Sequence, residues 1–420
     1  MRQRKPAWSP MTPRGSWVNP EFRHVAAKLA APISGVRETV SPSSAGSFNQ
    51  CAKRYWWEKE EGLRSPHSGQ AREVGGLVHA FLAEAYRAAF DPAEPKTGGL
   101  ARAETAVELA ALSWVAEYDE AARLRGASLG LKVGTTLDIA QLGMRITLRT
   151  LRRYLEGDLQ RFDLIGAELP VARKLPGLAG VVNNTVLDLL LREKSSGALV
   201  VMDHKTTVKA PHELADEYLF DPQRPAYVWG VEQAFPGETV MFVYNIIRKK
   251  EPGIPGLNQC RNCKATGVKA GGPCRDCGGS GFGAISQAAC DTTPEAYYRL
   301  KAQFPHLDLS VVQARIGELT ARGDTFNGRI GVHTTGLQVS NWLAETSDVV
   351  RDRRAARRTG RWTKNRSQCV SVYGLCPFRQ LCEEDTPEGR SVFVRTKDIP
   401  QVVAALEAGG ESADEFSAPF

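Results

Sequence analysis

The chain has 420 residues, 42% of them hydrophobic and 24% charged. That composition supports a sizeable buried core, rules out wholesale disorder, and at ~150 residues per domain allows two or three domains. No apolar run reaches the ~20 residues of a membrane span, and no apolar segment follows the basic start MRQRKPAWSPMTPRGSW, so a soluble, cytoplasmic protein is expected. The net charge of +7 is concentrated in RDRRAARRTGRWTKNR, residues 351–366, which holds eight basic residues against one acid. That stretch reads either as a solvated helical face or as a phosphate-binding stripe.

Residues 1–40 show no sustained period and read as a basic, flexible arm; 41–162 read as a helical region. There, Ser-Pro-Ser-Ser caps a short helix over SFNQCAKRYWWEKE, and GGLVHAFLAEAYRAAF forms a second. Two more helices span about 102–124 and 138–162. Residues 163–251 turn to Val- and Leu-rich runs separated by turn residues, the mark of successive strands, and ETVMFVYNIIRKK adds another. A Gly/Pro/Cys-rich insert occupies 252–284. Helices return at 294–322 and 336–358 within a region ending near 390, and a strand at SVFVRT plus a polar tail complete 391–420. Helices around a small mixed central sheet make the fold class α/β.

The stretch LDLLLREKSSGALVVMDHKT carries the chemistry. Two apolar runs flank a Lys-Ser-Ser-Gly turn, a hairpin signal. A turn centred between Ser195 and Ser196 sets Asp188 directly opposite Asp203, with Cβ atoms ~4.5–5.5 Å apart. Carboxylates that close repel unless a cation lies between them or one takes up a proton. Lys205 follows on the same strand face as Asp203. A hard divalent ion suits such a pair, and a nearby ammonium can position water or stabilise phosphoryl charge.

Together with Gln223-Arg224-Pro225-Ala226-Tyr227, SFNQCAKRYWWEKEEGL and GGLVHAFLAEAY, these residues resemble the PD-(D/E)XK nuclease superfamily, and within it the RecB-like exonuclease branch. Phage and CRISPR-associated nucleases belong to that branch. The motifs occur in family order across about 43–250. The resemblance implies a restriction-endonuclease-like core and Mg²⁺ or Mn²⁺ held by His79, Asp188, Asp203 and the His204 carbonyl. It makes Lys205 the catalytic lysine, has Gln223 and Tyr227 orient the site, and gives Glu168 a possible acidic role. VVNNTVLD replaces the glycine usual before the first aspartate, which puts the local strand geometry in question.

Cys260-x₂-Cys263 and Cys274-x₂-Cys277 have the spacing of a tetrahedral zinc ribbon and resemble the cysteine-rich repeats of DnaJ chaperones. Cys369, Cys376 and Cys382 lack a fourth ligand. RecB-like nucleases supply one from ahead of the core, which here is Cys51, to hold a [4Fe–4S] cluster. Spacing of C-x₆-C-x₅-C in place of C-x₂-C-x₅-C keeps zinc as an alternative, and Cys290 reads as a buried thiol. The expected function is a DNA exonuclease acting on single strands or ends, with Arg353, Arg354, Arg357, Arg358, Arg361 and Lys364 tracking the phosphate backbone. Because helicase motifs are lacking, a helicase or a repair or adaptation complex is the expected partner. The alternative is a non-catalytic nucleic-acid-binding scaffold subunit.

Overall fold

The structure is a computed structural model, described here for residues 16–29, 33–64, 70–95, 97–124, 133–285, 291–371, 374–391 and 393–395. The first 15 residues of the expected arm, Cys290 and residues 396–420 of the tail lie outside these.

Within the described residues 16–29 and 33–40 the chain takes regular structure where an arm was expected. It forms β1 (Trp17–Val18), a 3-10 turn at Pro20–Phe22, α1 (Arg23–Leu29) and β2 (Glu38–Val40). Asn19 caps the turn by accepting from the Glu21 amide, and its Nδ2 donates to the Leu164 carbonyl at 3.1 Å. Strands of two or three residues are too short to show a period of two, which is why the sequence does not reveal them. α2 (Pro42–Gln50) starts where Ser-Pro-Ser-Ser predicts, with Ser41 and Ser44 forming a capping box. The expected single helix breaks at Cys51, whose extended backbone (φ −164°) separates α2 from α3 (Ala52–Tyr55). A π-helical turn at Trp56–Glu60 and β3 (Leu63–Arg64) follow.

Helices α4 (Gln70–Ala89), α5 (Gly99–Leu124) and α6 (Val133–Arg161) pack on one another. Their contact is close at Gly143, where a Cβ would stand 3.2 Å from that of Leu77. β4 (Phe162–Lys174), β5 (Val181–Glu193) and β6 (Leu199–Thr207) then run antiparallel in succession. After α7 (Ala215–Leu219), α8 (Gln223–Ala234) packs on β4 and β5, its Gly230 admitting Val171. β7 (Val240–Arg248) precedes the cysteine-rich insert, which contains β8 (Leu257–Gln259), β9 (Val268–Lys269), β10 (Gly272–Pro273) and β11 (Phe282–Ile285). The helix expected over 294–322 is two, α9 (Pro294–Gln303) and α10 (Leu309–Arg322). Pro305 falls in the break, and Asp308 caps α10 by accepting from the Ser310 amide. β12 (Asn327–Val332) was not legible as a strand; α11 (Gly336–Thr359) was legible as a helix. The end of the chain carries β13 (Val370–Ser371), β14 (Gly374–Leu375), α12 (Arg379–Glu383), α13 (Pro387–Ser391) and β15 (Val394–Arg395).

Strands hydrogen-bond in the order β1-β4-β5-β6-β7-β12, with β2 parallel to β5: a mixed central sheet flanked by helices, as expected for a restriction-endonuclease-like fold. Contacts divide the chain into two units, with the chain crossing after Asp203 in β6, after Leu219 at the end of α7, after Tyr244 in β7 and after Ile330 in β12. The first unit contains α1–α6, α8, α11 and the terminal elements. The second contains α7, the insert, α9 and α10, around a core of Tyr297, Leu300, Leu307 and Val312 on which Leu257 and Ile285 of the insert's root strands pack. No helix among the described residues is long and apolar enough to cross a membrane.

Candidate active site and cysteine centres

Three acids stand in register across three neighbouring strands of the first unit. β4 and β5 pair Ala167 with Leu189 and Leu169 with Leu187, which brackets Glu168 and Asp188. β5 and β6 pair Leu189 with Met202, so the next step along sets Asp188 opposite Asp203. This is the hairpin register predicted from the Lys-Ser-Ser-Gly turn. Asp203 is 3% exposed. From α4, which packs on β4 and β5, His79 brings Nδ1 to 3.3 Å from Asp188 Oδ2.

The electrostatics of the group follow from its crowding. Burial opposes a charge on His79, but Asp188, Asp203 and Glu168 outweigh it and raise the imidazole pKa. Burial first, then the charge of Asp188, pushes the Glu168 carboxyl up to about 7, with His79 and Arg87 opposing. Glu168 also adopts a left-handed backbone (φ 54°) inside a strand, a conformation that side chains other than glycine's resist. Negative charge is thus gathered against its own repulsion beside one imidazole.

Gln223 and Tyr227 lie one turn apart on α8, with Gln223 Nε2 donating to Tyr227 Oη at 3.3 Å. Burial, then the charges of Asp203 and Asp188, hold the phenol pKa well above its usual value, so the hydroxyl keeps its proton. In the second unit, His204 is 2% exposed and its Nδ1 meets Asn245 Nδ2 at 3.0 Å. Sequence reasoning missed Arg87, whose charge acts on Glu168. Its position eight residues after His79, nearly the same face of α4, was the available signal.

The basic stretch divides. Arg353 is 1% exposed and bonds Glu38 and the Thr39 carbonyl; Arg354 donates to Glu38 at 3.0 Å; Arg357 bonds Glu38 and Glu60. These three guanidiniums tie α11 to β2 and the π-helical turn. Arg358, Arg361 and Lys364 are exposed, and Lys364 donates to the Cys382 carbonyl.

Cys260, Cys263, Cys274 and Cys277 are buried with their sulfurs within 4.8 Å of one another. Cys260–Cys274 is 4.0 Å and Cys263–Cys277 3.7 Å, close to the ~3.8 Å edge of a tetrahedron with ~2.3 Å Zn–S bonds. The Gly281 amide donates to the Cys277 sulfur at 3.3 Å and, against burial, helps bring that thiol down to about 7. Cys51, Cys369, Cys376 and Cys382 are neighbours more loosely. The charges of Cys51 and Cys369 bear on Cys382, and those of Cys382 and Cys369 on Cys376. The Asn365 amide donates to Cys51 Sγ at 3.5 Å, and β15 pairs with β3, joining early and late parts of the first unit.

The sequence profile of the PD-(D/E)XK nuclease superfamily matches residues 39–383. The chain belongs to that superfamily, whose members are metal-dependent nucleases. No curated protein matches it significantly.

Proposed function

We propose that the chain is a divalent-metal-dependent DNA exonuclease of the RecB-like kind, degrading single strands or strand ends in repair, recombination or phage DNA processing. The observation that carries this reading is the row Glu168, Asp188 and Asp203 with His79 upon it. His79, Asp188, Asp203 and the His204 carbonyl would hold Mg²⁺ or Mn²⁺, with Glu168 beside them. Such an ion supplies Lewis-acid charge at the phosphate and acidifies water.

Lys205, two residues after Asp203 in β6, directs its ammonium to the attacking water and to charge developing on the phosphoryl oxygens during in-line hydrolysis. Gln223 fixes the Tyr227 hydroxyl, which as a retained donor orients the phosphodiester. Arg358, Arg361 and Lys364 contact the phosphate backbone. Cys51, Cys369, Cys376 and Cys382 hold a [4Fe–4S] cluster, a reading supported by the mutual influence of their charges, and the other four cysteines hold zinc. A helicase or a repair or adaptation complex would supply opened ends.

Incubation of end-labelled single-stranded DNA with Mg²⁺ or Mn²⁺ tests the reading. Cleavage should fall about 10²–10³-fold in Lys205→Ala. A folded wild-type protein that binds DNA and cuts none would favour the scaffold reading instead.

A further inference from the structure

The two cysteine knuckles of the insert are related by a fixed offset of fourteen residues, and side chains at equivalent positions meet. Cys260 lies against Cys274, Cys263 against Cys277, and Asn262 Nδ2 bonds Asp276 Oδ2. The remaining position of each knuckle is an arginine, Arg261 in one and Arg275 in the other, at the same offset. Both are exposed, as is Lys264 at the end of the first knuckle.

Several other cations of this unit are engaged internally. Arg248 and Lys250 share Asp291, Arg315 bonds Glu318, and Lys301 bonds the Pro305 and Leu307 carbonyls. Within residues 252–284 the one acid is Asp276, which Asn262 already engages, against Arg261, Lys264, Lys269 and Arg275. Lys269 donates to Asn262. The root of the insert packs through Leu257 and Ile285 on the α9–α10 core.

We propose that the paired arginines of the knuckles form a phosphate clamp for a DNA strand, a contact separate from the carboxylate site. The proposal takes its ligand from the nuclease reading. Two arginines at equivalent places give bidentate phosphate contacts without reading sequence.

The test is fluorescence anisotropy of the full chain on a labelled single-stranded oligonucleotide, without added divalent ion, over a series of salt concentrations. Each neutralised phosphate contributes ~0.7 to the slope of log K against log salt on single strands, so Arg261→Gln/Arg275→Gln should flatten that slope by about 1.4. Arg261→Lys/Arg275→Lys should keep most of it, and Arg322→Gln, on an exposed cation of α10, should leave it unchanged. Zinc content and melting temperature equal to wild type show that the insert is intact. An unchanged slope in the glutamine variant, in a preparation that still cleaves with Mg²⁺, overturns the clamp and leaves the nuclease reading standing. A flattened slope in a chain that cleaves nothing supports the clamp and sinks that reading.

Discussion

Glu168 is the residue at which function and stability pull apart. A left-handed backbone within a strand costs a non-glycine residue about 1–2 kcal/mol, and the side chain is held beside Asp188 with its pKa raised. Glu168→Gly should therefore raise the melting temperature of the metal-free chain while weakening Mn²⁺ binding; a fall in melting temperature would contradict the strain. Glu38 shows the opposite balance. Its carboxylate is buried, yet the Arg353 charge and hydrogen bonds from Arg353, Arg354 and Arg357 hold its pKa below the usual value. A depressed carboxyl stabilises the fold above its unfolded pKa of 4.5, and that stability drains away as pH falls through the lower folded value. Glu38→Gln should thus lose about 3 kcal/mol at neutral pH, where it strands a buried guanidinium, and should show less acid dependence below pH ~4.5 in denaturant titrations. Composition gave no hint of this, because a run of arginines looks the same whether it faces phosphate or a buried acid.

Among elements, the hairpin of β5 and β6 was legible to the residue. Its turn chemistry and apolar runs fix one register, and a slip of one would bury the wrong face. The long helices α4, α5, α6 and α11 were legible from their period and caps. β1, β2 and β12 were not, since edge pairing depends on where the rest of the sheet lies. β1 depends on Gly166, where a Cβ would come within 2.5 Å of the Trp17 carbonyl oxygen. Gly166→Ala should detach β1, visible as faster amide exchange at Trp17 and Val18, and cost about 1–3 kcal/mol. Retained protection there would show that the edge can shift to accommodate the methyl group.

At the scale of the whole molecule, the superfamily match explains why distant segments converge. His79 arrives from the helical region, the acids from successive strands, and Cys51 meets cysteines more than 300 residues later. Order of motifs made the acidic site legible; the internal use of Arg353, Arg354 and Arg357 needed coordinates. The two cysteine centres should also separate chemically. Metal analysis of anaerobically purified protein should give zinc, removed by Cys260→Ser/Cys274→Ser, and iron with absorbance near 400 nm, removed by Cys376→Ser. Zinc at both centres would overturn the cluster assignment.

The most direct measurement is Mn²⁺ titration of the zinc-loaded protein, read by electron paramagnetic resonance beside cleavage of end-labelled single-stranded DNA, in wild type and in Asp188→Asn/Asp203→Asn. Wild type should bind the ion and cut; the double variant should keep its fold and zinc yet lose both properties. Undiminished Mn²⁺ binding and cleavage in the double variant would contradict the assignment of those two carboxylates as the seat of the chemistry.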